Sequence, residues 1–222
     1  MLIVPLGKKG SEGIPMITLF VCVACIIVHV FANTPGDLLA LAFRPGELDP
    51  LKMFTSAFAH ADIWHLLGNL FFFYCFARTI EARISLSGYL LAFIVFVLVT
   101  TLAYSATARE RIPTLGLSGV VWGYMGMFLL RYPRDRIECW VPFLNKVELP
   151  ASLFILAFLA LDIAAYRNTE LAPVNYIAHF SGFAAGALFK LAFWNTFTTE
   201  EAVPAKRLPS YSKLAHSKAA RR

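Results

Sequence analysis

Charge is what this 222-residue chain has least of. Only 15% of its residues are Asp, Glu, Lys or Arg, against 58% that are hydrophobic, and the mean hydropathy is +0.63. A soluble domain carries ~25% charged residues, so a cytosolic enzyme and a disordered protein are both excluded. Cysteine is scarce too. The four are Cys22, Cys25, Cys75 and Cys139, which excludes a disulfide-dense secreted scaffold. Cys22 and Cys25 form a C-x-x-C, but no second pair or histidine stands at metal-ligand spacing; small helix-packing residues are the simpler reading. The chain has no internal repeat and no low-complexity run.

What it has in abundance is apolar blocks, at residues 14–32, 63–77, 86–104, 118–130, 149–165 and 174–194. A bilayer span takes ~20 mostly apolar residues. Six of them use about half the chain and leave no room for a sizeable soluble domain. The first block follows Lys8 and Lys9 and reads as an uncleaved span rather than a signal sequence. With the N-terminus inside, 15 of the Lys and Arg residues fall on inner segments and 5 on outer ones. That bias places both termini in the cytoplasm. It also explains the net charge of +6 without a nucleic-acid partner. The expected organisation is a cytoplasmic segment over 1–13, a six-span domain over 14–195, and a basic, disordered tail over 196–222 lying along anionic headgroups. The outer segment 33–62 contains Pro35, Pro45 and Pro50 and reads as a half-buried interfacial structure of undefined shape.

Strongly polar residues inside a span are costly and are candidates for function. They are His65 and Asn69 in the second block, Ser118 in the fourth, Asp162 in the fifth, and Asn175 and His179 in the sixth. At 1.5 Å per residue, His65, Ser118 and His179 each lie ~20 Å above the inner boundary. Three helices thus carry polar side chains in one layer, ~10 Å below the outer surface. The fourth block is too short to cross, so residues 112–117 must enter the membrane as non-helical chain. Such backbone is tolerated only inside protein or beside a water-filled cavity. Gly119 and Gly123, and again Gly182 and Gly186, form G-x-x-x-G pairs that let helices approach closely. Their positions bring Ser118 and His179 together.

A serine needs a base to become a nucleophile, and His179 can serve. Ser118 opens a helix whose free N–H groups favour an oxyanion. His65 and Asn69 share a helix face and add two more donors. Asp162 lies near the outer end of its block and is set aside, which leaves a two-residue Ser–His arrangement. Each feature alone has a plainer reading: small-residue packing for Gly-x-Ser-Gly, a core histidine, an asparagine as interhelical glue. Their coincidence at one depth favours catalysis. His29, His60 and His216 are read as structural or surface residues, and the aromatic run Phe71 to Tyr74 as packing surface.

These residues resemble the rhomboid family of intramembrane serine proteases, in its basic six-span bacterial form. Gly116-Leu117-Ser118-Gly119 is similar to the family's G-x-S-G. His65-Leu66-Leu67-Gly68-Asn69 is similar to its H-x-x-x-N. Ala178-His179 with Gly182 and Gly186 is similar to its A-H-x-x-G-x-x-x-G. The resemblance implies an all-α membrane protein, a six-helix bundle whose short fourth helix starts inside the membrane. It implies Ser118 as nucleophile, His179 as general base, and Asn69, His65 and the Ser118 N–H around the oxyanion. Gly116, Gly119, Trp122 and Gly182 would support the site. Hydrolysis of single-span membrane proteins near their outer ends, without metal or cofactor, would follow. The lack of a transit peptide and of large extensions points to a bacterial plasma membrane. Glu81 falls where the family often ends its second span with a structural Glu. Two positions depart from the pattern: Leu51-Lys52 where the family often has Trp-Arg, and Trp122 where it often has a Tyr stacking on the histidine. A non-catalytic relative that binds membrane clients, and a small transporter or channel using His65, Asn69 and His179, are the alternatives.

Overall fold

The computed structural model describes residues 13–32, 34–108, 111–141, 145–167 and 174–199. The expectations for segment 1–13 (residue 13 apart) and for the tail from residue 200 onward lie outside the described residues. Eight helices are formed among those residues, and every apolar block becomes one. They are α1 (Met16–Phe31), α4 (Ile63–Glu81), α5 (Leu86–Thr107), α6 (Ser118–Arg131), α7 (Ala151–Arg167) and α8 (Tyr176–Phe197), with two short helices, α2 (Pro35–Leu41) and α3 (Pro50–Thr55), in the segment between α1 and α4. By length and composition α5 and α8 can each cross a membrane; α1 is apolar but shorter. The surface is that of a protein in lipid rather than water. Phe20, Phe31, Leu188 and Leu191 are all more than 60% exposed.

Helix starts follow local chemistry. Asp62 accepts hydrogen bonds from the N–H groups of Trp64 and His65 and so caps α4. Ser85 caps α5 and Asn175 caps α8 in the same way. Thr34 and Asp37 cap α2 reciprocally, and Asp49 followed by Pro50 opens α3. These residue types satisfy N–H groups that a helix start leaves without acceptors. Helix α1 has no side-chain cap of its own. Instead the Glu81 carboxylate, at the end of α4, accepts from the N–H groups of Ile17 and Thr18, both at 2.8 Å, and from the Thr18 hydroxyl. Glu81 thus joins α4 to α1.

Helix α6 is the centre of the bundle. Every residue from Gly119 to Phe128 is buried, and α4, α5, α7 and α8 all pack on it. Its closest partner is α8. A Cβ on Gly182 would strike the carbonyl of Gly119, and one on Gly186 the carbonyl of Gly123. On the other side Gly119 abuts Thr100 and Gly123 abuts the Phe96 ring, both on α5. The missing side chains let the α6 and α8 backbones meet, and let α5 side chains fill the other side of α6, where larger residues would separate them.

One element was not anticipated. Residues between α6 and α7, read as a charged inner segment, form an antiparallel hairpin of β1 (Arg136–Val141) and β2 (Asn145–Pro150), with Arg136 opposite Pro150. Helical blocks on both sides masked its short alternation. The exposed Arg136–Glu148 pair, at 3.7 Å, contributes little to its stability.

The backbone contact gives a direct test. Gly186→Leu should destabilise the bundle by ~1–3 kcal/mol through overpacking, read as a lower unfolding temperature in detergent. Gly68→Ala, whose Cβ would meet open space, should leave that temperature unchanged or raise it.

Candidate active site

Residues 112–117 are non-helical, as the short fourth block required. Their backbone polar groups find partners in the α1–α4 connection. Phe43 and Thr114 exchange two backbone hydrogen bonds, of 3.0 and 2.8 Å. The Gly116 N–H donates to the Ser56 carbonyl at 2.8 Å, and the Leu117 N–H donates to His60 Nε2 at 3.4 Å. Irregular chain among apolar helices is stable only when satisfied in this way. Gly116 has φ +120°, and a Cβ there would collide with the His65 ring. Only glycine meets both conditions. The strand-like approach then turns at buried Leu117, and Ser118 becomes the first residue of α6, partly exposed.

His179 lies in the first turn of α8 and is almost buried. Its ring is held on three sides. Trp122 lies against it with ring centroids 5.8 Å apart and planes 33° apart, and Tyr176 meets it edge-on at 5.9 Å. The third partner corrects the sequence reading: Asp162 Oδ2 lies 2.6 Å from His179 Nδ1. Asp162 was set aside because it stands near the outer end of its helix. His179 stands equally near the N-terminal end of α8, which faces the C-terminal end of α7. The helices are antiparallel, five residues remain in α7 after Asp162 and three precede His179 in α8, so the two differ in depth by only ~3 Å.

The other candidates gather around the same point. Gly119 and Gly182, one residue after Ser118 and three after His179, are in backbone contact. No hydrogen bond joins Ser118 to His179 among the described residues; catalytic pairs are commonly loose before substrate binds. The His65 ring sits beside Gly116. Asn69 is buried and donates one amide proton to the His65 carbonyl at 2.9 Å, which leaves the second free for another acceptor. Asn175 is the cap of α8 and also donates to Thr114 Oγ1 at 3.3 Å, tying α8 to the irregular segment.

Sequence reasoning read His60 as a structural or surface residue without placing it at the site, where its role is structural. It is wholly buried on the loop ahead of α4, its ring 5.1 Å from that of His65. Because Nε2 accepts from the Leu117 N–H, Nδ1 carries the proton and donates to the Phe58 carbonyl at 3.2 Å. It therefore holds the segment leading to Ser118 in its neutral form. A loop histidine has no helical period to give away its depth, so no signal in the sequence pointed to it. His29 reaches the His60 carbonyl from α1; His216 lies outside the described residues.

Comparison with known proteins bears directly on this arrangement. A model of the rhomboid domain matches residues 48–196, which takes in α3 to α8 and all three motifs. The chain belongs to the rhomboid family. It is 33% identical over 191 residues to the rhomboid protease GlpG of Enterobacter sp. (strain 638), covering 83% of this chain and 64% of that one. It is 29% identical over 192 residues to the rhomboid protease GlpG of Salmonella paratyphi A, covering 83% and 65%. The figures for rhomboid protease GlpG of Yersinia pseudotuberculosis are 29% over 192 residues, 84% and 64%. The rhomboid chain described here thus spans just under two thirds of the length of these relatives.

Burial, reinforced by nearby His65, pushes the His60 imidazole from its ordinary 6.5 down to about 4. Between those values the unfolded chain binds a proton that the folded rhomboid domain refuses, so stability falls as pH drops through that window. The unfolding temperature should decline on acidification from about pH 7 toward pH 4, and His60→Gln should flatten part of that decline.

Proposed function

We propose that this chain is an intramembrane serine endopeptidase that hydrolyses peptide bonds of single-span membrane proteins. In this reading six helices cross the bilayer with both termini in the cytoplasm, and α6 starts within the membrane below a water-filled cavity open to the outer side. The observation that carries it is the Gly119–Gly182 backbone contact, one residue after Ser118 at the start of a helix reached through hydrogen-bonded non-helical chain and three residues after His179. Bacterial relatives named rhomboid proteases support the same reading.

The chemistry balances simply. His179 Nε2 takes the proton of Ser118 Oγ as that oxygen bonds to the scissile carbonyl carbon. The carbonyl electrons become an oxyanion, met by the Ser118 N–H, the remaining Asn69 amide proton and a His65 ring N–H. His179 then gives its proton to the departing amine. Water repeats the sequence to release the acyl group and restore Ser118. A substrate helix has its carbonyls hydrogen-bonded, so it must unwind locally before attack. Helices that unwind easily are therefore the favoured substrates.

Purified protein in detergent should cleave a labelled single-span substrate and react with a fluorophosphonate. Ser118→Ala and His179→Ala should abolish both. Asn69→Ala should lower kcat by about 10²-fold. Cleavage by Ser118→Ala at the native rate would overturn the mechanism. Client binding without fluorophosphonate labelling, or solute flux dependent on His65 and His179 without proteolysis, would indicate the non-catalytic alternatives.

A further inference from the structure

We propose that Asp162 is the positioning residue for His179, so that the reacting set is Ser118, His179 and Asp162 rather than a pair. The proposal rests on the serine protease reading given above. An acid inside a span is expensive and needs a partner; here that partner is the proposed base itself. Asp162 Oδ2 and His179 Nδ1 are 2.6 Å apart, with side chains 21% and 11% exposed. A carboxylate accepts from Nδ1–H, so the neutral ring presents an unprotonated Nε2, the nitrogen that must take the Ser118 proton. Asp162 itself gains no proton; it orients the ring and stabilises the imidazolium.

The helix that carries it is built to hold this contact. Phe154, Phe158, Asp162 and Tyr166 recur every four residues along one face of α7. The first two pack on α4, with Phe158 5.2 Å from Phe72 and Phe154 6.3 Å from Phe76. Tyr166, one turn beyond Asp162, packs on α8 between Tyr176 and Phe180, at 6.3 and 5.8 Å. The same stripe thus leaves α4 for α8, and Asp162 stands where it arrives. Tyr176 and Trp122 hold the imidazole from the other sides, which leaves Nδ1 facing the carboxylate.

The test uses the full chain in detergent with Asp162→Asn, Asp162→Ala, Asp162→Glu and Ser118→Ala. Asp162→Asn and Asp162→Ala should lower kcat about 10- to 100-fold with KM within about twofold, less than the ~10⁴-fold loss seen for a fully buried triad aspartate because Asp162 is partly exposed. Fluorophosphonate labelling should slow in proportion, and Asp162→Glu should recover part of both. In protein labelled with ¹⁵N-histidine, a strongly downfield Nδ1–H proton resonance should be present in native protein and in Ser118→Ala, and absent in Asp162→Asn. Native kcat and labelling in Asp162→Asn and Asp162→Ala would overturn the proposal. So would loss of activity that tracks the unfolding temperature, with the resonance missing from native protein. Should the variants fail to fold, the resonance in native and Ser118→Ala protein decides alone. Cleavage by Ser118→Ala would instead defeat the protease reading, a result independent of that resonance.

Discussion

The rest of this structure depends on two helices touching through their backbones. Gly119 and Gly123 on α6 meet Gly182 and Gly186 on α8 with no side chain between them. In lipid, where apolar side chains gain nothing by leaving solvent, such contact is what holds helices together, through dispersion and close fit. It also sets register. A slip of one residue on either helix would put a Cβ against a carbonyl and would move Ser118 away from His179. The fold and the candidate site therefore share one constraint.

A second constraint is the accounting of polar backbone. Residues 112–117 gain close access to the interior because Phe43, Ser56 and His60 from the α1–α4 connection, with Tyr104 and Asn175 from α5 and the start of α8, hydrogen-bond to them. The two short helices of the α1–α4 connection thereby acquire a purpose. They bring acceptors to the depth at which α6 begins. Gly116, at a positive φ open to glycine and with the His65 ring where a Cβ would stand, is the point where that support meets His65.

Most of the helical architecture was legible in the chain because lipid imposes a coarse and uniform demand. Apolar blocks become helices, and three of them, α4, α5 and α8, start on the capping residues Asp62, Ser85 and Asn175. Pairs of residues on separate helices were less legible. The close approach of α6 and α8 could be read because glycine spacing marks it in the sequence itself. Asp162 was set aside for standing near the end of its helix, although His179 stands as near the facing end of α8. His60 escaped because a loop has no period, and the hairpin because its strands are brief and lie between strong helical signals. The Trp122 substitution was readable as a flat surface beside His179, and its ring lies there.

Glu81 carries a different kind of consequence. Helix α1 begins with two N–H groups, of Ile17 and Thr18, that this carboxylate, more than 60 residues later, satisfies. During synthesis α1 leaves the ribosome well before Glu81 exists. Its leading turn must wait, bound to water or headgroups, until the far end of α4 arrives. Helix α1 is thus made before α4 but finished only after it, so this part of the bundle is completed backward along the chain.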